Sequence, residues 1–498
     1  MSTVPQPAEL IYAPQSRVFG DDLAPPRQLY ITFIPAILVL TGVMSWVMSN
    51  DQGMVLASFV ATAVALFTIW DWLFRHGPTR FSTLLAMALL IGYGMGTMNT
   101  WITLPRNSLT LGEVMGLDPG VLARGLAATL ISSATLYFLG EIFEKPVFGR
   151  DFHFRVDSRM RALIYGGTVA VLAGYATHSL GFGGAPTAAG GHVSIFGETL
   201  FWFYPPLTAI AAAAFLASKS RKERVFTGLS ALILLALFAL MGRRVTIYTA
   251  MIILLVLGLA GYRFREISLR KILLLTGLGA VMVFSSLTFM LLRMTAGYSN
   301  QVRKTPTLTA RIEAANKLVR HGGAYALAGK QTQTNFQTRT FVLAFLAYIL
   351  DASSRMTPAL GRDAMSMIEQ SIPSVIYPDK DLFFSEEGLV DQQFGFGYGD
   401  QANSILTAGA TDFGFLGMIV YPILIVVVIR FVYEFLARRL GMVPLLFVAL
   451  ALIFRMMQTE ITFTGYVASL RDTILFGVLI SVIMGMPQVR LRAASRSL

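Results

Sequence analysis

The feature that most constrains this chain is the length of its apolar runs. Blocks of about 17–23 mostly apolar residues recur along it, separated by polar connections. A helical block of that length crosses the roughly 30 Å hydrocarbon of a bilayer. In lipid every backbone polar group must be paired within the protein, so only helices and closed barrels span it. The blocks lack the two-residue alternation of barrel strands. With 55% hydrophobic and 14% charged residues, the chain reads as an all-α polytopic membrane protein.

Twelve transmembrane helices are expected, at about 30–48, 53–74, 82–104, 122–143, 160–178, 200–217, 225–241, 245–261, 272–294, 415–436, 443–457 and 472–486. This divides the chain into an N-terminal tail (1–29), a first bundle of about nine helices (30–294), one long loop (295–414), three last helices (415–486) and a C-terminal tail (487–498). Lys and Arg in short connections set orientation. Twenty-two of them fall in the tails and the alternate connections, against six (Arg106, Arg124, Arg243, Arg244, Arg455 and Arg471) on the opposite side. Both termini are therefore expected in the cytoplasm. The net charge of +12 is read as this topology signal plus attraction to anionic lipid, with no nucleic-acid partner. The chain contains no cysteine, which excludes disulfides, thiolate metal sites and a Cys nucleophile.

The long loop is expected outside the cytoplasm as an ordered cap. Its helix signals are "TARIEAANKLVRHGG", with Thr309 as N-cap and a stop at Gly322 and Gly323, and "TFVLAFLAYIL" at 340–350, read as a buried or re-entrant roof helix. "FGFGYGD" at 394–400 reads as a turn. Charges are sorted along the loop. Residues 295–362 hold nine Lys/Arg and two acids, and residues 363–414 hold one Lys and nine acids. That pattern fits two halves joined by ion pairs, a cationic wall facing a carboxylate, or both.

"LMGRRVTIYTA" at 240–250 places Arg243 and Arg244 in a minimal turn between two apolar runs, on the side where basic residues are scarce. Arg455 and Arg293 end their runs on that side too, and Arg311 and Arg339 belong to the basic half of the loop. Each Arg has a plain alternative in a lipid headgroup or a loop acid. As a group they suit a lipid diphosphate, because guanidinium forks match phosphate oxygens and stay charged. Arg430 and Glu434, four residues apart, read as a structural pair. Asp379, Asp381, Glu386, Glu387 and Asp391 are too loosely spaced for a recognised metal loop, so a divalent metal is allowed but not required.

With about twelve spans, one large loop before the last helices and "GDQANSILTAGATDFGFLG" at 399–417, the chain resembles bacterial O-antigen and exopolysaccharide repeat-unit polymerases (the Wzy type), and more distantly O-antigen ligases. The matching residues are Asn403, Asp412, Phe413, Gly414 and Gly417, and Arg311 to Gly322 has the Arg–ten residues–Gly spacing of some members. The resemblance implies a metal-independent glycosyltransferase of the integral GT-C class in the bacterial inner membrane, without cofactor. Its substrates would be an undecaprenyl-diphosphate-linked oligosaccharide and the growing polysaccharide, and its partner a chain-length regulator protein.

Such chemistry needs fixed cations for the leaving diphosphate and one base for the acceptor hydroxyl. Candidate bases are Asp400, Glu460, Asp412 and His321, with Asn403 and Tyr398 as glycan contacts beside the arginines. A polymerase, a ligase acting on lipid A and a transporter of lipid-linked glycans all stay open.

Overall fold

The computed structural model describes residues 28–74, 79–103, 116–148, 156–177, 179–180, 195–218, 220–237, 243–259, 269–298, 308–320, 341–372, 376–377, 385–395 and 402–483. Among these residues there is helix and no strand. The helices are α1 (Leu29–Met48), α2 (Asp51–Phe74), α3 (Phe81–Leu89, a π-helical Leu90–Met95 and Gly96–Thr103), α4 (Pro119–Phe143), α5 (Ser158–Ala176), α6 (Ile195–Ala217), α7 (Arg221–Leu237) and α8 (Arg243–Leu259). They continue with α9 (Leu269–Tyr298), α10 (Leu308–Arg320), α11 (Phe341–Arg355), α12 (Arg362–Gln370), α13 (Glu386–Phe394), α14 (Ile405–Ala437), α15 (Met442–Met456) and α16 (Phe463–Ile483).

Six helices are long and apolar enough to cross a membrane: α1 to α4, α14 and α16. Helix also covers the other six expected positions, but the apolar stretches of α6, α8, α9 and α15 are shorter. The chain is thus a helical membrane protein with six such helices among the described residues.

Helix α4 is the axis of the bundle, buried along most of its length and packed against α1, α2, α3, α11 and α14. Its start is set by Asp118, whose side chain accepts from Gly120 N, and by Pro119 in the first turn, where a missing N–H costs nothing. One hydrophobic core runs through the bundle. A separate small cluster joins Met290, Leu291 and Leu292 of α9 to Ala315 of α10.

Two ends of the bundle are built differently. At the end where α2 meets α3, Arg80 pairs with the Glu141 carboxylate and donates to the Glu144 carbonyl. The Glu144 carboxylate caps α3 by accepting from Phe81 N and Ser82 N at 2.7 and 3.0 Å. The expected Arg430–Glu434 pair is present at 2.7 Å, and Arg430 also donates to the Lys145 carbonyl.

At the other end, α11, α12 and α13 form a roof over α14 and α16. Helix α11 covers the run expected to be a roof helix. Helix α10 starts at Leu308, so Thr309 lies inside its first turn and is not the N-cap. Most of 394–400 lies outside the described residues.

The main departure from expectation is α14, which starts ten residues before the predicted span. Ser404 caps it, its hydroxyl accepting from Leu406 N and Thr407 N while the Thr407 hydroxyl accepts from Ser404 N. The helix then breaks at Phe413 (φ −139, ψ 19) and Gly414 (φ 58, ψ −139), a left-handed conformation that favours glycine. Residues 405–412 fold back on those that follow, and Gly409 and Gly417 meet backbone to backbone. Carbonyls freed by the break are taken up elsewhere: Ala359 N donates to Thr411 O and Leu360 N to Asp412 O, both at 2.9 Å.

A Cβ on either of these two glycines would overlap the other's carbonyl oxygen, whereas one on Gly277 would meet nothing. Gly417→Ala should therefore cost at least about 2 kcal/mol, read as earlier thermal unfolding of the detergent-solubilised protein, with Gly277→Ala unchanged.

Candidate functional site

The break in α14 places Asp412 under the start of α12. Gly361, the residue before that helix, has no side chain to cap it. Asp412 does so from a distance: its Oδ1 accepts from Asp363 N and its Oδ2 from Ala364 N, each at 3.0 Å. The Tyr421 hydroxyl donates to the same Oδ2. The carboxylate is fully buried with both oxygens engaged, which suits a structural clasp. In this arrangement Asp412, a candidate base from the sequence, positions the start of α12.

Beside it lies a pocket of acids. Asp363 is fully buried, Glu386 nearly so, and the Thr407 hydroxyl donates to Glu386 Oε1 at 3.0 Å. Asn403 donates from Nδ2 to Glu387 Oε1 at 3.0 Å, so this candidate glycan contact is committed to the roof through its amide. Burial, then the charges of Glu386 and Asp412, holds the Asp363 carboxyl well above the usual carboxylate range. Burial also pushes Glu386 up to about 8, with Glu387 and Asp412 adding to the rise and the Thr407 hydrogen bond opposing it.

The Ser404 hydroxyl shares a 2.6 Å hydrogen bond with the Tyr93 hydroxyl, on the π-helical segment of α3. Such segments are frequent at functional sites. The link between α15 and α16 packs against the same stretch, Thr459 donating to the Ala88 carbonyl at 2.6 Å and crowding Gly92. Glu460 lies on this link, within electrostatic reach of Tyr93.

Arg455 stands in the last turn of α15. Its guanidinium lies over the Trp202 ring, 3.5 Å from the centroid, and its Nε donates to the Ser469 hydroxyl. Asp472 lies within electrostatic reach of it, but Arg455 makes no ion pair with a carboxylate among the described residues. The Tyr466 hydroxyl, near Arg455, is buried without a hydrogen-bond partner among those residues. Tyr248 of α8 meets Phe454 edge-on at 6.2 Å, so the start of α8, where Arg243 and Arg244 stand, approaches the same end of α15.

The structure thus brings Arg455, Glu460, Asn403 and Asp412 to one end of the bundle. Asp400, His321, Arg339 and Tyr398 lie outside the described residues, as do the side chains of Arg243, Arg244, Arg293 and Arg311. Sequence reasoning missed Asp363, Glu386, Tyr93, Trp202 and Tyr466. For Glu386 a signal was present: Ser385 followed by two acids marks a helix start, and the Ser385 hydroxyl does accept from Gly388 N. Trp202 lies inside an apolar run and looks like core, and Tyr466 lies in the connection expected before the last span, where nothing marks it.

Asp412→Asn should undock α12, because an amide must turn N–H groups toward N–H donors. The expected cost is about 1–3 kcal/mol, read as faster tryptic cleavage after Arg362, with Tyr421→Phe affected less. Searches of known protein families, of curated proteins and of solved structures each find no match to this chain.

Proposed function

We propose that this protein is a membrane glycosyltransferase that joins lipid-diphosphate-linked oligosaccharide repeat units, as its resemblance to repeat-unit polymerases implies. In this reading the chain crosses the bacterial inner membrane about twelve times with both termini cytoplasmic, and the roof end faces the periplasm. The observation that carries the reading is Arg455. A guanidinium held over an indole and by a serine hydroxyl, with Asp472 within electrostatic reach but in no ion pair with it among the described residues, keeps N–H groups to offer a phosphate oxygen.

The residues then divide the work. Arg455, with Arg243 and Arg244 from the neighbouring helix start, binds the donor diphosphate and stabilises the charge it gains as the anomeric C–O bond breaks. The acceptor hydroxyl forms the new bond and gives its proton to a carboxylate. Glu460 is the best-placed candidate, on the link that follows Arg455 and beside Tyr93. Asp400 and His321 remain candidates from the sequence alone. The polyprenyl diphosphate leaves with its tail in the bilayer. A ligase would use the same donor half and differ only in its acceptor.

Transport is the second reading, favoured by one observation. Asp71, Arg80 and Glu141 are buried at the opposite end of the bundle, around a cavity shared with Tyr30, Thr68 and Trp72. Buried charges within spans often mark transport paths. Here, however, Tyr30 donates to Asp71 at 2.6 Å and Arg80 pairs with Glu141, so these charges are already held within the protein.

The test is reconstitution in lipid with a lipid-diphosphate repeat unit, with glycan products resolved by size. A ladder at repeat-unit intervals is expected, and Arg455→Ala should reduce kcat/KM at least about 100-fold with the protein still eluting as a folded species. Arg455→Lys should recover little, since an ammonium lacks the planar fork, and Arg244→Ala should share the loss. One-step transfer to lipid A without a ladder would make the protein a ligase. Movement of the intact lipid-linked unit with no new bond would make it a transporter.

A further inference from the structure

The roof closes on the bundle through atoms that cannot bond one another as they stand. Neither carboxyl oxygen of Asp363 has a hydrogen-bond partner among the described residues, nor has Oε2 of Glu386 or Oδ1 of Asn403. All four are buried acceptors, and an ionised carboxylate brings no donor of its own. Leaving buried acceptors bare is costly, and leaving bare charges is costlier. A carboxylic acid supplies the missing O–H and removes the charge in one step.

Among the described residues the surroundings offer no alternative cation. From α13 the acids meet Glu387, and from α14 they meet Asp412 and Tyr421, whose hydroxyl is given to Asp412. From α3 they meet Tyr93, which is bonded to Ser404, with Glu460 beyond it. On α16, Arg471 binds Asp472 and donates to the Ser371 carbonyl. On α11, Arg355 is held by Asp351. Arg362, next to Asp363 on α12, forms no ion pair among the described residues. No group of three or more His, Asp or Glu among these residues is arranged to hold a metal ion.

We infer that Asp363 and Glu386 form a proton-held latch: as neutral acids they let α12 and α13 close on residues 405–412, and ionisation loosens that closure. Protons thereby regulate how tightly the roof closes. The latch stands on the packing of these three elements and holds whether the protein is a polymerase, a ligase or a transporter.

The direction follows from linkage. An acid that is harder to ionise in the closed form binds its proton more tightly there, so closure is strongest when both forms are protonated. It weakens from the usual carboxylate range, about 4, up to about 8 for Glu386. Above that it levels off for this residue.

The absence of cysteine makes the test direct. Ser366, 8% exposed on α12, is replaced in the full chain as Ser366→Cys, and Met365→Cys, at a position 59% exposed on the same helix, serves as the reference. The ratio of their maleimide labelling rates in lipid nanodiscs cancels the thiol's own titration. It is expected to rise at least about tenfold between about pH 5 and about pH 8. In the Asp363→Asn/Glu386→Gln background, which mimics the neutral acids, it should stay flat. Should the double variant not fold, Glu386→Gln alone should flatten most of the rise. A flat ratio in the parent chain, or an equal rise in the amide variants, overturns the latch. So does a change in the ratio when sodium is replaced by choline at one pH, which would assign the orphan acceptors to a bound cation.

Discussion

The contact between Gly409 and Gly417 is the constraint on which the roof end depends. Two backbones can lie this close only where neither residue carries a Cβ, and the left-handed Gly414 turns the chain between them. That fold-back points Asp412 upward and frees the carbonyls of Thr411 and Asp412, which the segment leading into α12 then uses. Roof, clasp and acid pocket all follow from a break that costs one helix its continuity.

The opposite end is stabilised by another kind of chemistry. There Arg80 pairs with Glu141 and donates to the Glu144 carbonyl, the Glu144 carboxylate caps α3, and the Tyr433 hydroxyl donates to the Val147 carbonyl at 2.7 Å. Opposite charges and satisfied backbone groups make that end a rigid base. The roof end buries like charges together, so its cohesion is conditional where the base's is not. The sorted loop charges suggested ion pairs between the two halves of the loop, a cationic wall facing a carboxylate, or both, and most of the basic residues concerned lie outside the described residues. Asp363, Glu386 and Asp412 lie near one another, and Asp412 is satisfied by backbone N–H groups and a tyrosine.

Much of the fold was legible because bilayer thickness imposes a length on apolar runs: the described part of each expected position is helical, and six of these helices are long and apolar enough to cross a membrane. The start of α14 was less legible. "SILT" at 404–407 is a capping signal, but the Phe413–Gly414 step just before a long apolar run reads equally well as the edge of a span. The clasp was not legible at all, since Asp412 and the N–H groups it accepts from are 48 and 49 residues apart, a pairing that only the fold-back creates. Arg455 was visible as a charge on the sparsely basic side, whereas its indole seat at Trp202 comes from packing of α6 against α15. The acid pair escaped because Glu386 was judged by its spacing as a metal ligand and not as a group that could be neutral, while Asp363 was only one of nine acids in its half of the loop.

The shortness of α15 has one more consequence. Fifteen residues rise only about 22 Å as helix, less than the hydrocarbon thickness, and the link after it meets α3 near its middle, at Ala88 and Gly92. Arg455 and Trp202 therefore belong to a floor sunk below the level reached by α3 and α4. A lipid-borne ligand drawn to that floor could arrive sideways from the bilayer with its chain still dissolved in hydrocarbon. Pulling a long isoprenoid tail into water would cost about 0.8 kcal/mol for each methylene exposed, and a sunken floor removes that barrier by geometry alone.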